Sequence, residues 1–64
     1  MNDRGIWRSA KALIDSYGED ATIHAAMRAD ELLAQGDLDG AGTWRRVLDA
    51  VKELERTVPR GAVH

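Results

Sequence analysis

Apolar residues recur every three to four positions along three segments of the chain, which is the spacing of one face of an α-helix. In the first segment, Asn2 or Asp3 can cap the start of a helix and Gly18 can end it. The pattern predicts a helix over about residues 4–17. Its apolar face consists of Ile6, Ala10, Leu13 and Tyr17, widened by Trp7 and Ile14.

A second helix is predicted over about residues 20–35, and the acidic residues Glu19 and Asp20 at its start suit the positive end of a helix dipole. Ile23 and Met27 lie four positions apart beside its main apolar face and are interpreted as the rim of the core. Since methionine adapts to imperfect surfaces, a subunit or partner contact is the alternative. The main face is formed by mostly small residues that permit close helix packing: Ala25, Ala26, Ala29, Leu32 and Leu33.

A third helix is predicted over about residues 38–58, because proline disfavours helical backbone in the residue before it and Pro59 follows directly. Gly40 and Gly42 weaken its first turn, so they are expected to serve close backbone packing at the hairpin, with a 3₁₀ start as the alternative. Residues 59–64 show no pattern and are predicted to be a disordered tail. The apolar positions of the helix are Trp44, Val47, Leu48, Val51, Leu54 and Val58.

The segment between the second and third helices has the strongest local signal in the chain. Gly36 suits the position just after a helix, where a left-handed backbone is needed, and Asp37 can accept hydrogen bonds from the first N–H groups of the next helix. Short loops make sequential helices antiparallel neighbours. The predicted fold is all-α: one domain over residues 1–58, either an up-down-up three-helix bundle or a hairpin with the first helix packed across it.

The chain is small for a stable monomer. At 64 residues, it buries only about 60% of its unfolded surface, and it has no cysteine for a disulfide or a thiolate metal site. Tight helix packing or oligomerisation must therefore compensate. The large apolar residues assigned as a candidate protein interface are Trp7, Ile23, Met27 and Trp44.

The net charge of −2 argues against a strong sequence-independent attraction to nucleic acid or to an anionic membrane. No apolar run approaches the length of a membrane span, and the first residues do not resemble a secretory leader. The expected location is the cytoplasm. Abundant alanine and an excess of arginine over lysine hint at a GC-rich bacterial coding sequence.

Chemical motifs are weak. His24 is interpreted as a helix-surface residue rather than a general base or ligand. The stretch Asp37–Gly40 resembles the start of a calcium loop, but Leu48 occupies the twelfth position, where that loop needs a glutamate. No catalytic residue, metal ligand or cofactor site is assigned, and the chain is not expected to be an enzyme.

The alternative to a protein-interaction role is a helix-turn-helix module that binds nucleic acid through the third helix. Asp49 and Glu53 share the surface of the basic residues, so a solvated face with pairs such as Arg45–Asp49 is preferred. The candidate phosphate contacts of the alternative are Arg45, Arg46, Lys52 and Arg56.

Residues 29–40, followed by Trp44-Arg45-Arg46-Val47-Leu48 and by residues 50–54, resemble a group of short uncharacterised bacterial proteins, mainly alphaproteobacterial. The resemblance covers about residues 6–58. It implies a helical fold and a bacterial origin, but it does not imply any activity. The preferred interpretation is a non-enzymatic interaction or regulatory domain that binds a protein partner or itself, because the chain is too small to cover all of its apolar stripe.

Overall fold

The computed structural model describes residues 3–57, and its elements are all helical. Helix α1 spans Asp3–Tyr17, a 3₁₀ turn spans Gly18–Asp20, α2 spans Ala21–Ala34 and α3 spans Leu38–Thr57. The all-α prediction is confirmed, and the described helix ends lie within one residue of the predicted ones. Asn2, Val58, Pro59 and the predicted tail lie outside the described residues.

The α2–α3 hinge has the predicted cap geometry. Gly36 adopts a φ of +82°; its N–H donates to the Leu33 carbonyl at 3.0 Å, and the Asp37 N–H donates to the Leu32 carbonyl at 2.9 Å. These two bonds form a Schellman motif. On the other side of the hinge, Asp37 Oδ1 accepts the N–H of Gly40 at 2.9 Å, which caps α3.

The two glycines of the first α3 turn have different surroundings. The Asp37 carboxylate folds over Gly40 so closely that an added Cβ would lie 2.8 Å from its Cγ, whereas a Cβ on Gly42 would meet nothing within 4 Å. The expectation that both glycines permit close packing between helix backbones is therefore wrong. Gly40 makes room for the capping side chain, and this first turn is α-helical rather than 3₁₀.

The α1–α2 corner turns at Gly18, which has a φ of +56°. Glu19 and Asp20, predicted to begin the second helix, form a 3₁₀ turn with Gly18, and Asp20 makes no side-chain cap bond to α2. The rings of Tyr17 and His24 stack across the corner, with centroids 3.6 Å apart and planes inclined by 17°. This stack joins the last residue of α1 to the first turn of α2.

Helices α2 and α3 make the most extensive contact in the structure, and α1 packs mainly on α3. Ala21 and Ala25, near the start of α2, share a core cluster with Val47 and Val51 in the middle of α3. Leu32, near the hinge, is also buried. Because only three residues separate α2 from α3 and the two helices share the most extensive contact, they form an antiparallel hairpin. The rest of the buried cluster is Ile6, Ala10 and Ala50.

The path of α1 follows from its neighbours on α3. Trp7 shares a groove with Asp49 and Ala50, in the later half of α3. Leu13, further along α1, shares a second cavity with Trp44, in the first half of α3. An up-down-up bundle would place the start of α1 beside the start of α3, so that topology is not confirmed.

Candidate protein-binding surfaces

A groove of about 400 Å³ lies between α1 and α3 on the surface and is called here the α1–α3 groove. Ile6 and Ala50 contribute buried side chains to it, while Trp7 remains 42% exposed. Trp7 lies at the edge of the apolar stripe of α1, so only part of its indole is covered by the core. The complete lining is Asp3, Ile6, Trp7, Arg46, Asp49, Ala50 and Glu53.

Carboxylates outnumber cations around this groove. Asp3, Asp49 and Glu53 line it together with one cation, Arg46. Glu53 accepts a hydrogen bond from the Arg56 guanidinium. Within residues 3–57, neither Asp3 nor Asp49 forms an ion pair, and the Arg45–Asp49 pair considered from the sequence is not formed. The α1–α3 groove therefore combines an apolar interior with a net negative rim.

The outer strip of α2, defined by Ile23 and Met27, is a second apolar surface. Their side chains are 56% and 55% exposed, while Ala21 and Ala25 of the same helix are fully buried. At about 100° per residue, Ile23 and Met27 point away from those alanines. The interpretation of Ile23 as part of the rim of the core is therefore wrong, and the assignment of Ile23 and Met27 to a protein interface stays a prediction.

Trp44 contributes to a different cavity from Trp7, so the two tryptophans do not share one site. Trp44 is half-buried against the core and lines a cavity of about 230 Å³ beside the stacked rings of Tyr17 and His24. Met27 reaches the same cavity from the outer strip of α2. The remaining lining residues are Leu13 and the ion pair of Arg28 with Glu31, whose charged atoms are 3.6 Å apart.

Two exposed leucines were missed by sequence reasoning. Leu33 and Leu38 flank the α2–α3 hinge and are each more than half exposed. Leu33 was assigned to the buried face of α2, but at about 100° per residue it lies well to one side of the buried Ala25 and Leu32. The angular position of Leu33 around the helix, rather than its three-to-four spacing alone, identifies it as exposed.

Three of the four candidate phosphate contacts, Arg45, Lys52 and Arg56, are exposed and lie within about 40° of one another around α3. Arg46 lines the α1–α3 groove instead, and the Arg56 guanidinium donates a hydrogen bond to Glu53. The Glu53 carboxylate offsets the Arg56 charge, so a nucleic-acid site on α3 stays the alternative.

The described residues contain no group of three or more His, Cys, Asp or Glu side chains that could hold a metal ion. His24 lies against the Tyr17 ring instead of facing a carboxylate partner. Among the helices described, none has the length and apolar character needed to cross a membrane.

Comparison of the chain with family models, with curated proteins and with solved structures finds no match. The resemblance to short bacterial proteins thus stays a prediction.

Proposed function

We propose that this chain is a small, non-enzymatic interaction domain of the bacterial cytoplasm, which binds a protein partner or a second copy of itself. The observation that carries the proposal is the outer strip of α2. Single exposed apolar residues are common on protein surfaces. Here Ile23 and Met27 lie one helical turn apart, and both leave more than half of their side chains in water.

The size of this strip limits the kind of interface. Completing the burial of each of the two side chains contributes about 1 kcal/mol, roughly half of the 1.5–3 kcal/mol for full burial. A standard interface covers about 800 Å² on each partner, far more than two side chains supply. The proposed contact is therefore weak and transient, or it extends to a second surface such as Trp7.

Sedimentation or light scattering, combined with affinity capture from a bacterial lysate, tests the proposal. We expect the wild-type chain to self-associate at high micromolar concentration or to recover a defined protein. The double variant Ile23→Lys, Met27→Lys should lose that interaction. The double variant Ala12→Lys, Ser16→Lys, which adds two positive charges at exposed positions of α1 four residues apart, is the matched control and should retain it.

A strict monomer that recovers no protein would contradict the proposal, as would equal recovery by the double variant. The same capture is repeated after nuclease treatment. If nuclease abolishes the complex and Arg45→Glu has the same effect, the chain binds nucleic acid and the protein-interaction proposal is wrong.

A further inference from the structure

We propose that the α1–α3 groove binds a cationic amphipathic helix of a partner protein, in which an arginine or lysine lies next to a large apolar side chain. This inference rests on the proposed function, because it names the chemistry of the partner. It concerns a surface separate from the outer strip of α2, so the two proposals can fail independently.

The shape of the groove suits side chains of a partner. Its volume of about 400 Å³ is within the roughly 300–1,000 Å³ typical of binding clefts. Ile6 and Ala50 present an apolar base, and the partly exposed Trp7 forms one side. An apolar side chain inserted here would bury mainly the exposed part of Trp7, since Ile6 and Ala50 retain little exposed surface.

The negative charge of the groove's rim favours a partner whose polar face is cationic. Asp49 and Glu53 are one helical turn apart on α3, and Asp3 lies in the first turn of α1. Arg46 and Arg56 offset part of this charge, but Asp3 and Asp49 make no ion pair with another described residue. A cation at the rim gains an ionic partner, while an anionic segment meets like charge.

Trp7 adds a reason to expect a cation close to the groove. An indole face attracts a guanidinium or ammonium group through its quadrupole. In the described part of the chain, the one ring interaction is the Tyr17–His24 stack, so no cation of the described residues stacks on Trp7. A partner arginine stacked on this indole can at the same time pair with the Asp49 carboxylate.

The probe is a synthetic amphipathic helix of about 14 residues, about 21 Å long, with leucine on its apolar face and arginine on its polar face. Its matched counterpart carries glutamate in place of every arginine. Binding is followed by NMR through the indole N–H signal of Trp7, with the Trp44 signal as an internal reference. We expect the arginine peptide to shift the Trp7 signal and the glutamate peptide to leave it unchanged.

Two substitutions test the assigned residues. Asp49→Asn should weaken binding of the arginine peptide by about threefold to tenfold, as expected for loss of a partly exposed ion pair. Asp30→Asn makes the same charge change on α2, away from the groove, and should alter affinity by less than about twofold. Trp7→Leu keeps an apolar side chain but removes the indole, and should also weaken binding.

Equal effects of Asp49→Asn and Asp30→Asn would mean that only net charge matters and would overturn the inference. Equal binding of the two peptides, or an unmoved Trp7 signal at millimolar peptide, would overturn it as well. A partner captured through Ile23 and Met27 alongside these negative results would leave the proposed function standing, so the two failures are distinguishable.

Discussion

Asp37 serves both helices of the hairpin, through its N–H to Leu32 and its carboxylate to Gly40. Asp37→Ala keeps the first contact and removes the second, so we expect the free energy of unfolding to fall by about 1 kcal/mol, typical of a lost N-cap. Asp39→Ala removes a nearby exposed carboxylate that does not cap the helix, and should change stability by less than half as much. Urea unfolding of both variants measures the difference. Similar losses would show that the Asp37 cap contributes nothing specific.

The two glycines that follow Asp37 should respond oppositely to alanine. Gly42→Ala places a methyl group in open space within a helix, and should stabilise the protein by about 0.5–1 kcal/mol. Gly40→Ala pushes its methyl group into the Asp37 carboxylate, so loss of the cap should cancel the gain in helix propensity. Thermal unfolding of the two variants checks this contrast. An equal gain at both positions would contradict the close approach of the carboxylate to Gly40.

Backbone requirements at single residues were more predictable from the sequence than side-chain environments. The φ values of Gly18 and Gly36 are positive, as expected for glycines that end helices. The sequence left open whether Ile23 and Met27 form the rim of the core or face a partner, because apolar character alone does not say whether a neighbouring helix covers a residue. Whether a residue is covered depends on contacts between residues that are distant in sequence.

The corner between α1 and α2 depends on one side-chain contact that spans the turn. Tyr17 and His24 stack at 3.6 Å over a 3₁₀ turn whose last residue makes no side-chain cap bond. In a double-mutant cycle of Tyr17→Ala and His24→Ala, we expect a coupling energy of about 0.5–1.5 kcal/mol, typical of paired rings. Chemical denaturation of the wild type, both single variants and the double variant supplies the cycle. Additive effects would show that the stack contributes no stability of its own.

Helix bounds were predictable to within one residue because local signals determine them: glycine and aspartate mark the described ends. The direction in which α1 crosses the hairpin was not predictable, because an apolar stripe along one helix can pack against different neighbouring helices at several crossing angles. The acidic rim of the α1–α3 groove was missed for the same reason. Asp3 and Asp49 are far apart in sequence, and only the packing of α1 on α3 brings them to one groove.

The three helices meet through an interior of unusually small side chains. Ala10, Ala21 and Ala25 have no exposed surface, and the largest fully buried residues are only Val47 and Val51. The buried apolar area per residue is therefore low, which leaves a narrow margin of stability in a chain of this size. Close approach of the helices compensates through dispersion contacts that only short side chains permit.

Enlarging one buried alanine tests this close packing. Ala25→Leu adds three carbon atoms where three helices meet, so we expect it to lower the free energy of unfolding by about 1–3 kcal/mol through overpacking. Ala12→Leu makes the same change at an exposed position of α1, where alanine and leucine have similar helix propensities, and should leave stability nearly unchanged. Urea unfolding followed by circular dichroism compares the two variants. If the Ala25→Leu variant is as stable as the wild type or more stable, the interior contains unfilled space. Close helix contact would then not be what holds α1 on the hairpin.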